Sequence, residues 1–180
     1  MDFTIRLILG SPNDAKHGNT FIEILKKINV PYKVSFASCH RNAGELDAFV
    51  KSIRERIIAF EGGMSLAAPG IIRSLLTAAG IVNKIVWAVP TDEAARSAIE
   101  DLPEGTPVMT AGLNTVSLNH GIKNNALAIG HLIATMTGDK KVIDGLKIYY
   151  SAMKAKKPLV PEVELVAFGL IPLPDDKKKK

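Results

Sequence analysis

The chain has 180 residues, 47% of them hydrophobic and 23% charged with both signs interspersed, which is one domain's length with enough apolar side chains to close a core and excludes bulk disorder. No apolar run reaches the roughly 18–20 residues that a membrane-spanning helix needs, and the single cysteine, Cys39, excludes an internal disulfide framework and any multi-cysteine metal cluster. The formal charge of +5 comes mostly from the last four lysines; without them 19 basic residues face 18 acidic ones, and no basic stripe with interleaved aromatics argues for a nucleic-acid partner.

The first ten residues carry no basic lead and no small-residue cleavage site, so no signal peptide is read and a cytoplasmic protein with no membrane partner is expected. Residues 4–9 form an apolar run that ends at Gly10. Phe21, Ile24, Leu25 and Ile28 then recur at helical spacing until Pro31. Val34 and Phe36 alternate in a second strand that ends near Ser38, and Leu46, Phe49, Val50 and Ile53 mark a second helix. A third strand, residues 57–60, closes at Gly62-Gly63. Ile71, Ile72, Leu75, Leu76 and Ala79 mark a third helix, and residues 84–89 a fourth strand that ends at Pro90. A short helix is predicted from about Asp92 to Glu100, and a fifth strand over residues 107–113. Ile122, Ala126, Ile129, Ile133 and Met136 give a long helix; after Gly138, Val142, Leu146, Tyr149, Tyr150 and Met153 give another.

Strand followed by helix, repeated, predicts an α/β fold: a three-layer, doubly wound, flavodoxin-like parallel sheet with helices on both faces and an extra C-terminal helix and tail. Residues 1–157 read as a single domain and residues 158–180, rich in proline and lysine, as an extended tail. Ligands of such folds bind at the carboxyl ends of the strands, which marks the loops after residues 9, 38, 62 and 90 in advance.

Those loops hold the polar chemistry. The first reads Gly10-Ser11-Pro12-Asn13-Asp14. Close backbone approach at Gly10, donors on Ser11 and Asn13, and the free N–H groups of the helix behind them suit an anion such as phosphate. The competing reading makes Asn13 or Asp14 a helix cap. The second loop reads Ser38-Cys39-His40-Arg41. An arginine grips phosphate bidentately, and a histidine moves protons near neutral pH. Adjacent strand residues point to opposite faces, so Cys39 is expected to turn away if His40 faces the cleft, and to pack as a small hydrophobe. The third loop, residues 61–70, is rich in glycine and alanine and lets backbone approach a flat ligand. Its polar side chains read most simply as a solvated Glu61 and a turn hydroxyl, Ser65. His17, His120 and His131 have no metal-ligand spacing, so no metal is predicted. Trp87 is read as core, and Lys123 as a solvated helix residue or a partner for a substrate acid.

Together these loops resemble the PurE family, the carboxylases and mutases that act on aminoimidazole ribonucleotide. The likeness covers about residues 4–134. It rests on Gly10-Ser11-Pro12-Asn13-Asp14, on Ser38-Cys39-His40-Arg41, and on the stretch from Gly62-Gly63 to Pro69-Gly70. It rests also on Val89-Pro90, on Leu102-Pro103-Glu104-Gly105-Thr106-Pro107-Val108 and on Lys123-Asn124-Asn125-Ala126-Leu127-Ala128, all in the family's order. The resemblance implies that Ser11, Asp14 and Arg41 bind the ribose phosphate with Ser38 beside it; Asn13, where the family has serine, is a further substrate-binding candidate. It implies that His40 is the general acid and base at the ring carbon that gains the carboxylate, and that Gly62, Gly63 and Ser65 surround the imidazole and carboxylate, with Lys123 near the substrate. It further implies no metal or other cofactor, a small-molecule ribonucleotide and carbon dioxide as partners, and a homo-octamer with C-terminal helices exchanged between neighbours.

The mutase class of the family carries a histidine in the glycine-rich loop, where this chain has Ala67. The spacing from Gly62 to Pro69 is also one residue longer than in that class, and the Lys123-Asn124 pair is similar to the class that uses carbon dioxide directly. Against that class stand Arg41, where it has lysine, and Gly63-Met64-Ser65, where it has Arg-Ser-Asn. The expectation drawn is a direct carboxylase, with a mutase or a non-catalytic nucleotide-binding relative as alternatives.

Overall fold

The computed structural model describes residues 3–113 and 117–153; the tail expected at 158–180 lies outside the described residues. Four strands, β1 (Ile5–Leu9), β2 (Tyr32–Phe36), β3 (Ile57–Gly62) and β4 (Ile85–Pro90), form one parallel sheet in the order β2-β1-β3-β4. Between and after them run α1 (Ala15–Lys27), α2 (Ala43–Ser52), α3 (Ala68–Ala78), α4 (Glu93–Glu100), α5 (Leu118–Thr137) and α6 (Lys140–Ser151). Among the described residues no helix is long and apolar enough to cross a membrane.

The pleat divides the core in two. Leu7 and Leu9, Ile57 and Ala59, and Trp87 and Val89 face one side, where Phe21, Ile24 and Leu25 of α1, Ile122 and Ile129 of α5, and Val142 of α6 cover them. Ile8, Ile58, Phe60, Val86 and Ala88 face the other, against Leu46 and Val50 of α2, Ile72 and Leu76 of α3, and Ala95 of α4. The three-layer, doubly wound architecture is therefore the one the sequence pattern predicts. The inner strand β3 is buried at all six positions, which is why it reads as a continuous apolar run instead of an alternating one. The extra layer member, α6, packs closely on the end of α1: a Cβ on Gly145 would lie 2.7 Å from the Ile28 backbone, so only glycine allows that approach. At the opposite edge of the sheet from the loops, Glu55 accepts from Arg6 at 3.2 Å and pairs with Lys33 at 2.9 Å, tying β1 and β2 to the start of β3.

Two expectations fail. Residues 107–113 do not form a fifth strand. Met109 alone bridges to Trp87, through Ala88 N–H to Met109 O at 2.8 Å and Met109 N–H to Val86 O at 2.9 Å. Pro107 has no N–H to offer a ladder. Beyond Met109 the buried Asn125 of α5 takes the backbone instead, accepting from Ala111 N–H at 2.8 Å and donating to Gly112 O at 2.9 Å. Several stripe residues also remain outside the core: Val34, Phe36, Ile71, Met136, Tyr150 and Met153 are exposed, because among the described residues nothing packs over edge strand β2 or the outer sides of α3, α5 and α6.

Candidate functional site

In the order β2-β1-β3-β4 the chain leaves β1 toward the α1 face and leaves β3 toward the α2 and α3 face. The two loops diverge, and a crevice opens at the carboxyl ends between them, where doubly wound folds place ligands. A cavity of about 420 Å³ occupies this position. Ser11, Asp14, Ser38, His40, Arg41, Gly62, Gly63 and Ser65 line it, with Cys39, Met64 and Ala67. Three loops far apart in sequence thus converge. Asn13 and Lys123 do not join them: Asn13 is exposed in the 3₁₀ turn Pro12–Asp14, and Lys123 stands on α5, where its charge acts on Glu23 of α1.

The first loop is held from within. The Ser11 hydroxyl donates to Asp14 Oδ2 at 2.9 Å, and Gly10 N–H donates to the Glu61 carbonyl at 3.2 Å. The capping reading of this loop is not realised: Asp14 stands at the N-cap of α1, but its side chain accepts no bond from the helix. The first turn of α1 keeps its N–H groups without a side-chain cap, which favours negative charge in front of it.

The second loop is a tight turn. Asn42 N–H donates to Ser38 O at 2.8 Å, Asn42 Oδ1 accepts from Ser38 N–H at 3.0 Å, and the Ser38 hydroxyl accepts from Arg41 N–H at 3.3 Å. Arg41 reaches back to the first loop, donating to Gly10 O at 3.1 Å, so the guanidinium and the anion loop share one wall. His40 is exposed at the cavity, its Nδ1 3.6 Å from Cys39 Sγ. The expectation that Cys39 turns away from His40 is corrected: both line the cavity, because β2 ends at Phe36 and pleat alternation does not extend into the turn. Burial pushes the Cys39 thiol above its usual range, which disfavours the thiolate a nucleophile requires.

The third loop is clamped by Asp92, which sequence reading noted only as a helix start. Its Oδ1 caps α4 by accepting from Ala95 N–H at 2.7 Å, and its Oδ2 accepts from Met64 N–H at 2.6 Å. A Cβ on Gly63 would run into Asp92 Oδ2 and come within 3.0 Å of Thr91 Oγ1. Glycine is required there for the clamp to close. Met64 itself sits at φ 51°, left-handed, with its side chain exposed. The signal for the clamp is an aspartate directly before an alanine-rich helix.

Glu61 overturns its reading as a solvated carboxylate. It is 0% exposed, and among the described residues neither oxygen has a hydrogen-bond partner. Burial, with a smaller contribution from the charge of Asp14, pushes its carboxyl up to about 8. Asn125 was also missed. It is fully buried, accepts from Trp87 Nε1 at 2.8 Å and donates to Gly121 O at 3.0 Å, which fixes the chain beyond β4 to α5. Its signal was its place on the apolar stripe, between Ile122 and Ile129 at helical spacing.

The family model described as AIR carboxylase matches residues 4–156. An N5-carboxyaminoimidazole ribonucleotide mutase of Methanocaldococcus jannaschii is 32% identical over 116 residues, 61% of this chain and 69% of that one. The protein of the same name from Saccharolobus solfataricus is 27% identical over 154 residues, 83% of this chain and 92% of its own. The phosphoribosylaminoimidazole carboxylase of Saccharomyces cerevisiae is 26% identical over 114 residues, 61% of this chain and 20% of that longer one. Among solved structures, Treponema denticola PurE aligns with a TM-score of 0.67 at 20% identity, covering 83% of this chain and 90% of that one; the fold is shared.

Proposed function

The chain belongs to the AIR carboxylase family, and from that premise we propose that it carboxylates aminoimidazole ribonucleotide with carbon dioxide directly, in purine biosynthesis, with His40 as the general acid and base. The observation that carries the reading is the convergence of Ser11, Asp14, His40, Arg41 and the glycine-rich loop on one cavity. The ribose phosphate sits against Ser11, Ser38 and Arg41, before the uncapped first turn of α1. The ring lies against Gly62 and Gly63. Holding the phosphate at one end of the cavity orients the ring at the other, so binding energy remote from the reacting carbon is used for alignment.

The ring carbon attacks carbon dioxide; one carbon–carbon bond forms, and the carbon then carries both the new carboxylate and its original hydrogen. His40 takes that proton and restores the aromatic ring, and the proton leaves to solvent. The reverse sequence decarboxylates. Among the described residues His40 is the one histidine lining the cavity; Ala67 stands where the mutase class has its second imidazole, and this favours the direct route. The Lys123-Asn124 pair, similar to the direct class in sequence, stands on α5 outside the cavity of the single chain. The second reading is the mutase, which moves the carboxylate from the exocyclic nitrogen to the ring carbon. It is favoured by the names of the Methanocaldococcus and Saccharolobus relatives. We propose the octameric assembly as the form in which either reaction runs.

An ultraviolet assay separates the two readings. Product from aminoimidazole ribonucleotide with bicarbonate, rising with its concentration, supports direct carboxylation. Rapid product from the carboxyamino isomer alone makes the chain a mutase. His40→Asn is expected to abolish turnover and leave ribonucleotide affinity within about twofold; surviving turnover removes His40 from the chemistry.

A further inference from the structure

Directly beneath the anion loop lies an acid that the proposed chemistry does not use. Glu61 is the fifth residue of β3, in register with Leu9 of β1 and Val89 of β4. Its pleat neighbours Phe60 and Gly62 line the cavity, so its own side chain enters the opposite layer, under the start of α1. It is 0% exposed, and among the described residues both carboxyl oxygens lack a partner. Its carbonyl anchors Gly10 N–H, and its nearest acidic neighbour in electrostatic terms is Asp14, the carboxylate that holds Ser11 in the cavity wall.

Among the described residues the one charge that acts on Glu61 is that of Asp14; Lys16 of α1 is exposed, and Arg41 is turned to Gly10 O on the cavity side. β1 and β4 present Leu9 and Val89, both buried and apolar. The first loop presents Asp14. The first turn of α1 presents His17, whose Nδ1 is also buried without a partner. On α5 the ionisable groups of the first turns are His120, which is exposed, and Lys123, which lies toward Glu23. A carboxylate in this position would be an unpaired buried charge, and such groups neutralise instead. A second negative charge beside Asp14 would also oppose an anion in front of α1, in a region of low dielectric where the repulsion is weakly screened.

We propose that Glu61 is a positioning residue for the anion loop: held as the neutral acid beneath residues 10–14, it leaves Asp14 as the one negative charge of that loop, and its ionisation weakens the site for a dianion. The inference rests on the reading that this loop takes the phosphate of the substrate. No bond forms or breaks; one proton leaves the carboxyl to solvent, and a ligand that tolerated the neutral site is repelled by the ionised one. The burial that pushes the group up to about 8 places the change just above neutral pH.

The test is sulfate binding to the full chain between pH 6.5 and 9, followed by titration calorimetry, because sulfate remains a dianion throughout. In the unaltered protein the affinity is expected to fall on the order of tenfold across that range. Glu61→Gln and Glu61→Met, two replacements that cannot ionise, are expected to bind sulfate at pH 9 as they do at pH 6.5. The fall is expected to persist in His17→Asn, Cys39→Ala, His40→Asn and Lys123→Met. A flat profile in the unaltered protein, a parallel fall in both Glu61 variants, or no sulfate binding at any pH overturns the inference. The same titration with aminoimidazole ribonucleotide separates the two claims. If sulfate follows the expected profile and the ribonucleotide does not bind, the charge control by Glu61 stands and the substrate reading falls.

Discussion

Replacing Glu61 by methionine is expected to stabilise the protein, and more so as the pH rises. The carboxyl is fully buried with both oxygens unpaired, and its folded-state value is about 8 against an ordinary 4.5. The folded-state value is the higher one. Between pH 4.5 and 8 the native state therefore holds a proton that the unfolded chain has released, so stability falls as pH rises through that window. The slope is about 1.4 kcal/mol per pH unit. The accumulated penalty is about 3 kcal/mol at pH 7 and about 5 kcal/mol once the pH passes 8, where it levels off. Methionine fills a similar volume without polar atoms and adapts its rotamers to the site. Urea unfolding of both proteins at pH 5.5, 7 and 8.5 reads the effect as the difference between the two stabilities, from which all other titrating groups cancel. Among those is Glu55: burial pushes its carboxyl up, but hydrogen bonds from Lys33 and Arg6 outweigh burial and hold it below the usual range. A difference that does not change with pH, or a variant less stable at pH 8.5, would refute the reasoning.

Arg41→Ala removes the guanidinium that spans from the second loop to Gly10 O. It is expected to weaken ribonucleotide binding by about 1.5–3 kcal/mol, the range for a charge-assisted contact, with no comparable loss for the dephosphorylated nucleoside in the same calorimetric titration. Asn125→Leu is expected to cost about 3–5 kcal/mol in urea unfolding, because Trp87 Nε1, Ala111 N–H and the carbonyls of Gly112 and Gly121 lose their shared partner. Gly63→Ala displaces Asp92 from Met64 N–H. Ribonucleotide affinity is expected to fall several-fold while the urea midpoint moves by no more than about 1 kcal/mol in stability; an unchanged affinity would mean that the clamp does not shape the site.

Much of the fold was legible because its signals are local. The helical spacing of Phe21, Ile24, Leu25 and Ile28, and the apolar run ending at Glu61, each need only a dozen residues to be read. Eight of the ten residues singled out for the site line one cavity for the same reason: they stand in the loops that follow strands, and a parallel sheet brings those loops to one edge. What failed depends on distant partners. Residues 107–113 have a strand's composition, but Asn125, more than a dozen residues on, takes their backbone groups. Lys123 lies outside the cavity of the single chain, where its charge acts on Glu23 of α1, and nothing in the spacing says so. The thiol of Cys39 was assigned a direction by strand alternation, and the strand had already ended.

Glu61 joins these cases into one argument about the crevice. A carboxylate after an apolar strand and before two glycines reads as the first solvated residue of a loop. That inference holds when the strand ends where its apolar run ends. Here β3 runs on to Gly62, because Gly10 N–H pairs with the Glu61 carbonyl and Thr91 N–H with the Gly62 carbonyl. The same two bonds draw the first loop, the glycine-rich loop and the start of α4 against one another. The ladder that shapes the ligand crevice is therefore also what carries the acid into the core. Extending β3 by two residues brings Phe60 and Gly62 to the cavity lining and turns Glu61 into the opposite layer, where the charge of Asp14 still acts on it. A protein that kept the crevice geometry and placed leucine at this position would have the same walls and a more stable core, but an anion loop whose affinity no longer changed with pH on this account.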